Sequence, residues 1–345
     1  MRTEVLTTEK QFHCFRKRRL APARAVSGNE RRRINPSHGW IKVCERYLDI
    51  FVSRFVYPLI GHLWSPYSWL LEKRFTLTEA KLSPPGWPRG LAPLRLLLIT
   101  DIHAGIFLRP ETLWSIIHDL MQTKPDLVVI VGDIVTGHVS EATPYLAAFA
   151  MLSAAPLGAW FCFGNHDYFG GDPQELSTNL AAIGIRSLKN ESVTLSHRGG
   201  AFILGGVDDL MFGKPDWQRV ESPYGTPHLL LAHNPDHFYE AVARGVPLML
   251  AGHTHGGQIS LPRPVHQHNV ARLTTPWTRG LFELGETQLY VNRGLGVSGV
   301  KARFNCPREI ALITLAPRHA CVPAPGPVSR VNCSRGATLR ADYGY

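Results

Sequence analysis

Cysteine is sparse and unpatterned in this 345-residue chain. Its six cysteines (Cys14, Cys44, Cys162, Cys306, Cys321 and Cys333) form no Cys-x-x-Cys pair and no dense framework. That excludes a disulfide-stapled scaffold and points to a reducing compartment. Cys162, inside an apolar run, is expected to be a buried thiol. A clean secretory signal is also missing, because the first apolar run begins only near Tyr47, too late for a standard h-region. That run, Tyr47–Leu71, lacks the uninterrupted ~20 apolar residues of a spanning helix; Asp49, Arg54, Pro58, His62 and Pro66 break it. Its Tyr57, Trp64, Tyr67 and Trp69 suit the headgroup boundary, so it is read as a segment lying on a membrane. A helix packed on the rest of the chain and a short spanning hairpin are the alternatives. No internal repeat is present.

Acidic residues are scarce at the N-terminus. Residues 1–46 hold four acids against twelve Lys and Arg, so this arm carries +8 of the net +10. Such an arm favours anionic lipid headgroups or nucleic acid, or is a solvated tail. No nucleic-acid-binding motif accompanies it, so no specific nucleic acid is expected, and no protein partner is indicated. The chain is expected in the cytoplasm, peripheral on the cytoplasmic face of the membrane.

Beyond the arm, 44% hydrophobic residues and a mean hydropathy of −0.07 describe a globular body large enough for a substantial core. The expected organisation is a basic arm (1–46), an interfacial or packing segment (47–81), a Pro/Gly linker (82–93), a catalytic domain (94–316) and a disordered tail (317–345). Leu94–Thr100, Leu127–Val131, Ala159–Phe163, Phe202–Val207, Leu229–Ala232 and Leu248–Ala251 read as buried strands. Pro110–Lys124, Pro173–Ile183 and Asp236–Arg244 read as helices, the first with Leu113, Ile116, Ile117 and Leu120 on one face. Ile259–Leu261, Gly280–Leu284, Gln288–Asn292 and Glu309–Leu315 read as strands of a second sheet.

Five motifs dense in His and Asp each follow an apolar run: Asp101-Ile-His103, Gly132-Asp133, Gly164-Asn165-His166-Asp167, His233-Asn234 and Gly252-His253-Thr254-His255. Loops after strand C-termini converge on one sheet edge, so the motifs are expected to meet in space. Imidazole, carboxylate and carboxamide donors suit divalent Mn, Fe or Zn. Asp133 is the natural bridging carboxylate of a two-metal site, the preceding glycine allowing close approach. Asp101 and His103 are expected on the same side of an extended segment. His253 and His255 serve one ion or are divided between two. Arg293 with Gly294-Leu295-Gly296 is read either as a cation and turn for a second phosphate or as a β-turn with a surface arginine. Asp208-Asp209 is read as touching substrate or capping a helix. His228, His237, His266 and His268 lack partners at ligand spacing and are read as incidental.

These motifs resemble the signature of the calcineurin-like metallophosphoesterases over Leu94–Leu315. Gly252–Gln258 and Val291–Gly296 resemble its bacterial YkuE/YaeI-like phosphodiesterase branch, which includes membrane-associated enzymes. One member type there hydrolyses UDP-2,3-diacylglucosamine in lipid A synthesis. The resemblance implies an α/β, four-layer metallophosphoesterase fold, a central β-sandwich flanked by helices. It implies two divalent metal ions (Mn, Fe or Zn), one held by Asp101, His103, Asp133 and His255, the other by Asp133, Asn165, His233 and His253. It makes His166 the non-ligand histidine beside the phosphate, oriented by a hydrogen bond to Asp167. The implied function is hydrolysis of phosphodiester or pyrophosphate bonds by metal-activated hydroxide. The substrate is expected to be a phosphoester, either a lipid-linked nucleotide such as UDP-2,3-diacylglucosamine or a soluble phosphoester; a non-catalytic scaffold is the remaining class.

Overall fold

Continuous apolar runs become strands buried on both faces, as parallel strands covered on each side must be. The computed structural model describes residues 75–317 apart from 92, 106, 170–171, 262–268 and 300–301. The expectations for the basic arm, for Tyr47–Leu71 and for the tail beyond Pro317 lie outside the described residues. Twelve strands among these residues form two six-stranded sheets. The first contains β1 (Phe75–Leu82), β2 (Leu94–Thr100), β3 (Leu127–Val131), β4 (Ala159–Cys162) and β5 (Ile185–Ser187). The second contains β6 (Glu191–His197), β7 (Gly200–Gly206), β8 (Leu229–Leu231), β9 (Leu248–Ala251), β10 (Gly280–Leu284) and β11 (Thr287–Val291). The last strand, β12 (Arg308–Leu315), returns to the first sheet, parallel to β1 and antiparallel to β2, with Leu312 opposite Leu97. The strand orders are β1-β12-β2-β3-β4-β5 and β10-β11-β9-β8-β7-β6.

The two-residue period of a strand sorts these side chains into layers. Leu94, Leu96 and Leu98 of β2 and Leu127, Val129 and Val131 of β3 meet Leu229 and Leu231 of β8 and Leu248 and Leu250 of β9 between the sheets. The alternate residues Leu97, Ile99, Val128 and Ile130 face outward and pack on helix α1 (Pro110–Met121) and helix α2 (Leu146–Ala150). Helix α3 (Pro173–Ala181) joins that layer through Leu176 and Leu180. On the far side, Leu230, Met249 and Ala251 pack under helix α4 (Trp217–Glu221) and helix α5 (Phe238–Ala243). The result is helix, sheet, sheet, helix. Each fully buried leucine contributes roughly 2 kcal/mol of burial free energy, so these layers hold the strand ends rigidly.

Helix α1 starts on Pro110, whose missing N–H is spare in a first turn. It buries Leu113, Ile116, Ile117 and Leu120 but stops at Met121, short of the expected Lys124, where the chain turns with a positive φ of 52°. Helix α3 is capped by the Asp172 carboxylate, which accepts the Gln174 N–H.

The expected organisation needs four corrections. Residues 75–81, assigned to the interfacial or packing segment outside the catalytic domain, form β1 and pair with β12, so the sheet begins upstream of position 94. Residues 82–93 are no free linker, for Trp87 and Leu91 are buried in the inter-sheet layer. Ile259–Leu261 is not a strand; only isolated bridges, Ile259 with Phe304 and Ser260 with Asn269, occur there. Residues 308–315 belong to the first sheet rather than the second. The strands missed by pattern, β1, β5 and β6, are edge or short pieces that bury few side chains and carry no long apolar run.

Candidate metal centre

Strands β2, β3, β4, β8 and β9 deliver one motif each to the same edge. The turns leaving β2, β3 and β9 are left-handed: Asp101, His103, Asp133, His253 and His255 all have φ between 46° and 68°. The expected extended Asp101-x-His103 segment is thus a tight turn, and convergence of the two side chains comes from that turn rather than from strand alternation. Non-glycine residues adopt this backbone at a cost of about 1 kcal/mol each, a strain the surrounding packing sustains. Two glycines make the approach possible. A Cβ on Gly164 would collide with the Asp133 carboxylate, and one on Gly132 with the His233 ring.

The side chains converge as two donor clusters. Asp101, His103, Asp133 and His255 place one ligand atom each within 4.8 Å of one another; so do Asp133, His233 and His253. His103 Nε2 lies 3.1 Å from His255 Nε2 and 3.5 Å from Asp133 Oδ2. His255 Nε2 is 3.5 Å from Asp101 Oδ1, and His233 Nε2 is 3.2 Å from Asp133 Oδ2. Asp101 is oriented by the His253 backbone N–H, at 2.9 Å from its Oδ1. All of these groups but His253 are buried.

The charges in this pocket are tightly coupled. His233 Nδ1–H donates to the Val131 carbonyl at 3.0 Å, so in the neutral ring the Nε2 lone pair faces a carboxylate oxygen. Burial alone would depress this imidazole, yet the Asp133 carboxylate overrides it and lifts the pKa to about 10. Burial raises Asp101 to about 6, while Asp133, despite equal burial, is held well below the usual range by His233 and His166. His255 is pushed down by burial and then by the Arg303 guanidinium, whose Nη2 lies 3.3 Å from His255 Nδ1. A neutral His255 ring is what a metal requires. Asn165 Oδ1 is buried with no hydrogen-bond partner among the described residues. An unsatisfied buried acceptor costs about 1–3 kcal/mol, which a divalent cation removes. These residues fit a divalent metal site.

His166 and Asp167 are both buried here, but not paired as expected. Asp167 accepts backbone N–H groups from Gly164 at 2.8 Å, Asp133 at 3.0 Å and Ile134 at 2.8 Å. It braces the turns after β3 and β4 and does not orient the imidazole. His166 is anchored by its Nδ1–H to the Thr136 carbonyl at 2.6 Å, and its Nε2 lies 3.0 Å from Ser298 Oγ. Neither partner carries a motif: one is a backbone atom, the other a lone serine beyond the last glycine-rich turn.

Arg293 is also corrected. Its Nε pairs with Glu309 at 2.9 Å, so it is neither a free cation for a second phosphate nor a surface residue. The Gly294-Leu295-Gly296 turn instead backs Asp101, with the Leu295 and Gly296 N–H groups donating to the Thr100 and Asp101 carbonyls. Asp208 accepts from Tyr168 Oη and from the Lys214 N–H, and Asp209 accepts from Met211 and Phe212 N–H, so both shape the loop after β7. His228 accepts the Ile203 N–H and His237 meets the Asp208 carbonyl, structural roles for both. His266 and His268 lie outside the described residues.

The sequence model of the Calcineurin-like phosphoesterase family matches residues 94–257. The chain is 33% identical over 252 residues to the metallophosphoesterase YkuE of Bacillus subtilis, covering 69% of this chain and 84% of that protein. It is 32% identical over 241 residues to the phosphodiesterase YaeI of Escherichia coli, covering 65% and 83%. It is 33% identical over 243 residues to a "transmembrane protein with metallophosphoesterase domain" of Danio rerio, covering 66% of this chain and 54% of that one. With the helix-flanked double sheet and the clustered Asp and His donors, these matches make the chain a member of the calcineurin-like phosphoesterase family and a metal-dependent phosphoric ester hydrolase.

Proposed function

We propose that this chain is a dinuclear-metal phosphodiesterase or pyrophosphatase that works on the cytoplasmic membrane face on a lipid-linked nucleotide such as UDP-2,3-diacylglucosamine. The observation that carries the dinuclear reading is the sharing of Asp133 by two donor clusters. Asp101, His103, Asp133 and His255 would hold one ion, and Asp133, Asn165, His233 and His253 the other. When bound, the ions supply charge for the phosphoryl oxygens and acidify water for the attack. His166 stands beside this set, its ring 4.6 Å edge-on from that of His103. With Nδ1–H tied to Thr136, Nε2 is the atom that hands a proton to the leaving oxygen, a role worth about 10²–10⁴-fold in rate. Mn, Fe and Zn all suit these ligands.

Three observations support a lipid-linked substrate. The arm carries +8, and the Tyr47–Leu71 run is rich in interfacial aromatics. Ile259, Leu261 and Phe304 are exposed, the first two shortly after His255 in the chain and Ile259 bridged to Phe304. One relative carries a transmembrane designation.

The test is hydrolysis of bis-p-nitrophenyl phosphate and of the matching monoester by metal-stripped protein, with Mn²⁺, Zn²⁺, Fe²⁺ or Mg²⁺ restored singly. Diester cleavage that returns with metal and is absent in Asp133→Asn is expected; metal-loaded protein that cleaves neither ester ends the reading. Removing residues 1–74, which spares β1, is expected to leave soluble diester cleavage intact and to abolish turnover of UDP-2,3-diacylglucosamine in vesicles. Equal vesicle activity with and without those residues would favour a soluble phosphoester instead.

A further inference from the structure

Ser298, in the loop after β11, brings a hydroxyl to His166 that none of the five motifs contains. Its Oγ is 3.0 Å from His166 Nε2. The imidazole is therefore bonded at both nitrogens, to the Thr136 carbonyl on one side and to Ser298 on the other. Two bonds at opposite corners of the ring remove its freedom to rotate about χ2. A hydroxyl suits this place chemically, because it donates to a bare ring nitrogen and accepts from a protonated one.

Ser298 is itself held by a single side chain. Gln258 Nε2 donates to the Ser298 carbonyl at 2.6 Å, and the Ser298 N–H donates to Gln258 Oε1 at 3.1 Å. A carboxamide bonded to both polar atoms of one residue imitates a β-bridge and sets position and rotation together. Gln258 immediately follows the His255-Gly256-Gly257 turn and has a positive φ of 51°. The same turn that delivers a metal ligand thus aims the clamp.

We propose that Ser298 is a positioning residue for His166, locked in place by Gln258, and that its hydroxyl holds the Nε2 edge of the ring at the site until the leaving-group oxygen takes the place of Ser298 as the partner of Nε2–H; this rests on the assignment of His166 as the acid. The experiment compares Ser298→Ala and Ser298→Thr in the metal-loaded full chain, at matched metal content, on bis-p-nitrophenyl phosphate and on diphenyl phosphate, whose leaving group needs the proton more. Ser298→Ala is expected to lower kcat on diphenyl phosphate by about tenfold and on the nitrophenyl diester by less than about twofold, with KM little changed. Ser298→Thr restores the loss. Ser298→Ala added to His166→Gln costs nothing further, the signature of two residues acting through one another. In zinc-loaded protein labelled with ¹⁵N-histidine, Ser298→Ala shifts the His166 Nε2 resonance and leaves Nδ1 in place. An equal loss on both esters, additivity with His166→Gln, or an unmoved Nε2 resonance overturns the proposal. If His166→Gln shows no leaving-group dependence, the acid assignment falls and with it the catalytic half of this proposal, while the Nε2 resonance decides separately whether Ser298 holds the ring.

Discussion

Asp133 has both carboxylate oxygens committed. Oδ1 accepts the His166 N–H at 2.8 Å, and Oδ2 faces His103 and His233. Its role as a shared donor was legible from Gly-Asp after an apolar strand together with the other four motifs. The role of Asp167 was not, because its partners are backbone N–H groups, which every residue has. His237 shows a third case, a histidine without ligand spacing whose burial has consequences. Burial holds its pKa down to about 4, only partly offset by the Asp208 carbonyl and charge. In the unfolded chain it titrates near 6.5. Between these values the unfolded state binds a proton that the folded state refuses, so this stability is complete above pH 6.5 and is lost as pH falls toward 4. The full loss is about 3 kcal/mol. Urea unfolding at pH 7 and pH 4.5 is expected to show a flatter pH dependence in His237→Gln than in the parent chain. Identical slopes would place the acid sensitivity elsewhere.

Among the elements, β1 matters most for where the protein can be cut. It lies at the sheet edge, parallel to β12 through eight residue pairs from Phe75–Arg308 to Leu82–Leu315. Only Phe75, Leu77 and Leu82 are buried in it, the rest being Thr, Glu, Ala and Lys with partial or full exposure. That is why it escapes a search for continuous apolar runs, which finds strands covered on both faces. The central strands were legible for the same reason, although their registers and which residues face inward were not. A chain beginning at Phe75 is expected to fold with cooperative urea unfolding. A chain beginning at Ser83 loses one of the two partners of β12 and is expected to be insoluble or to unfold without cooperativity. Cooperative unfolding of the shorter chain would show that β1 is dispensable.

At the scale of the whole molecule, the sandwich gathers donors from positions 101 to 255 into a largely buried cluster in which Asn165 Oδ1 lacks a hydrogen-bond partner among the described residues. Metal should therefore stabilise the fold as well as serve the reaction. Chelation is expected to lower the melting temperature by on the order of 10 °C, as loss of a ligand held at roughly a thousandfold its dissociation constant would. Mn²⁺ or Zn²⁺ should restore it, while Asp133→Asn should melt at one temperature with or without metal. Calorimetry showing no metal dependence in the parent chain would contradict a resident ion.

The sequence by itself determined the ligand types, their order and their place at strand ends, because strand burial and metal preference are both written in short local patterns. Only the tertiary structure decided what holds His166, for Thr136 is 30 residues away, Ser298 is 132 residues away, and neither a carbonyl nor a lone hydroxyl leaves a mark in sequence. It also decided that β12 closes the first sheet rather than the second. Sheet membership depends on which distant strand offers a free edge, and that choice is made by packing across the whole chain rather than within any segment of it.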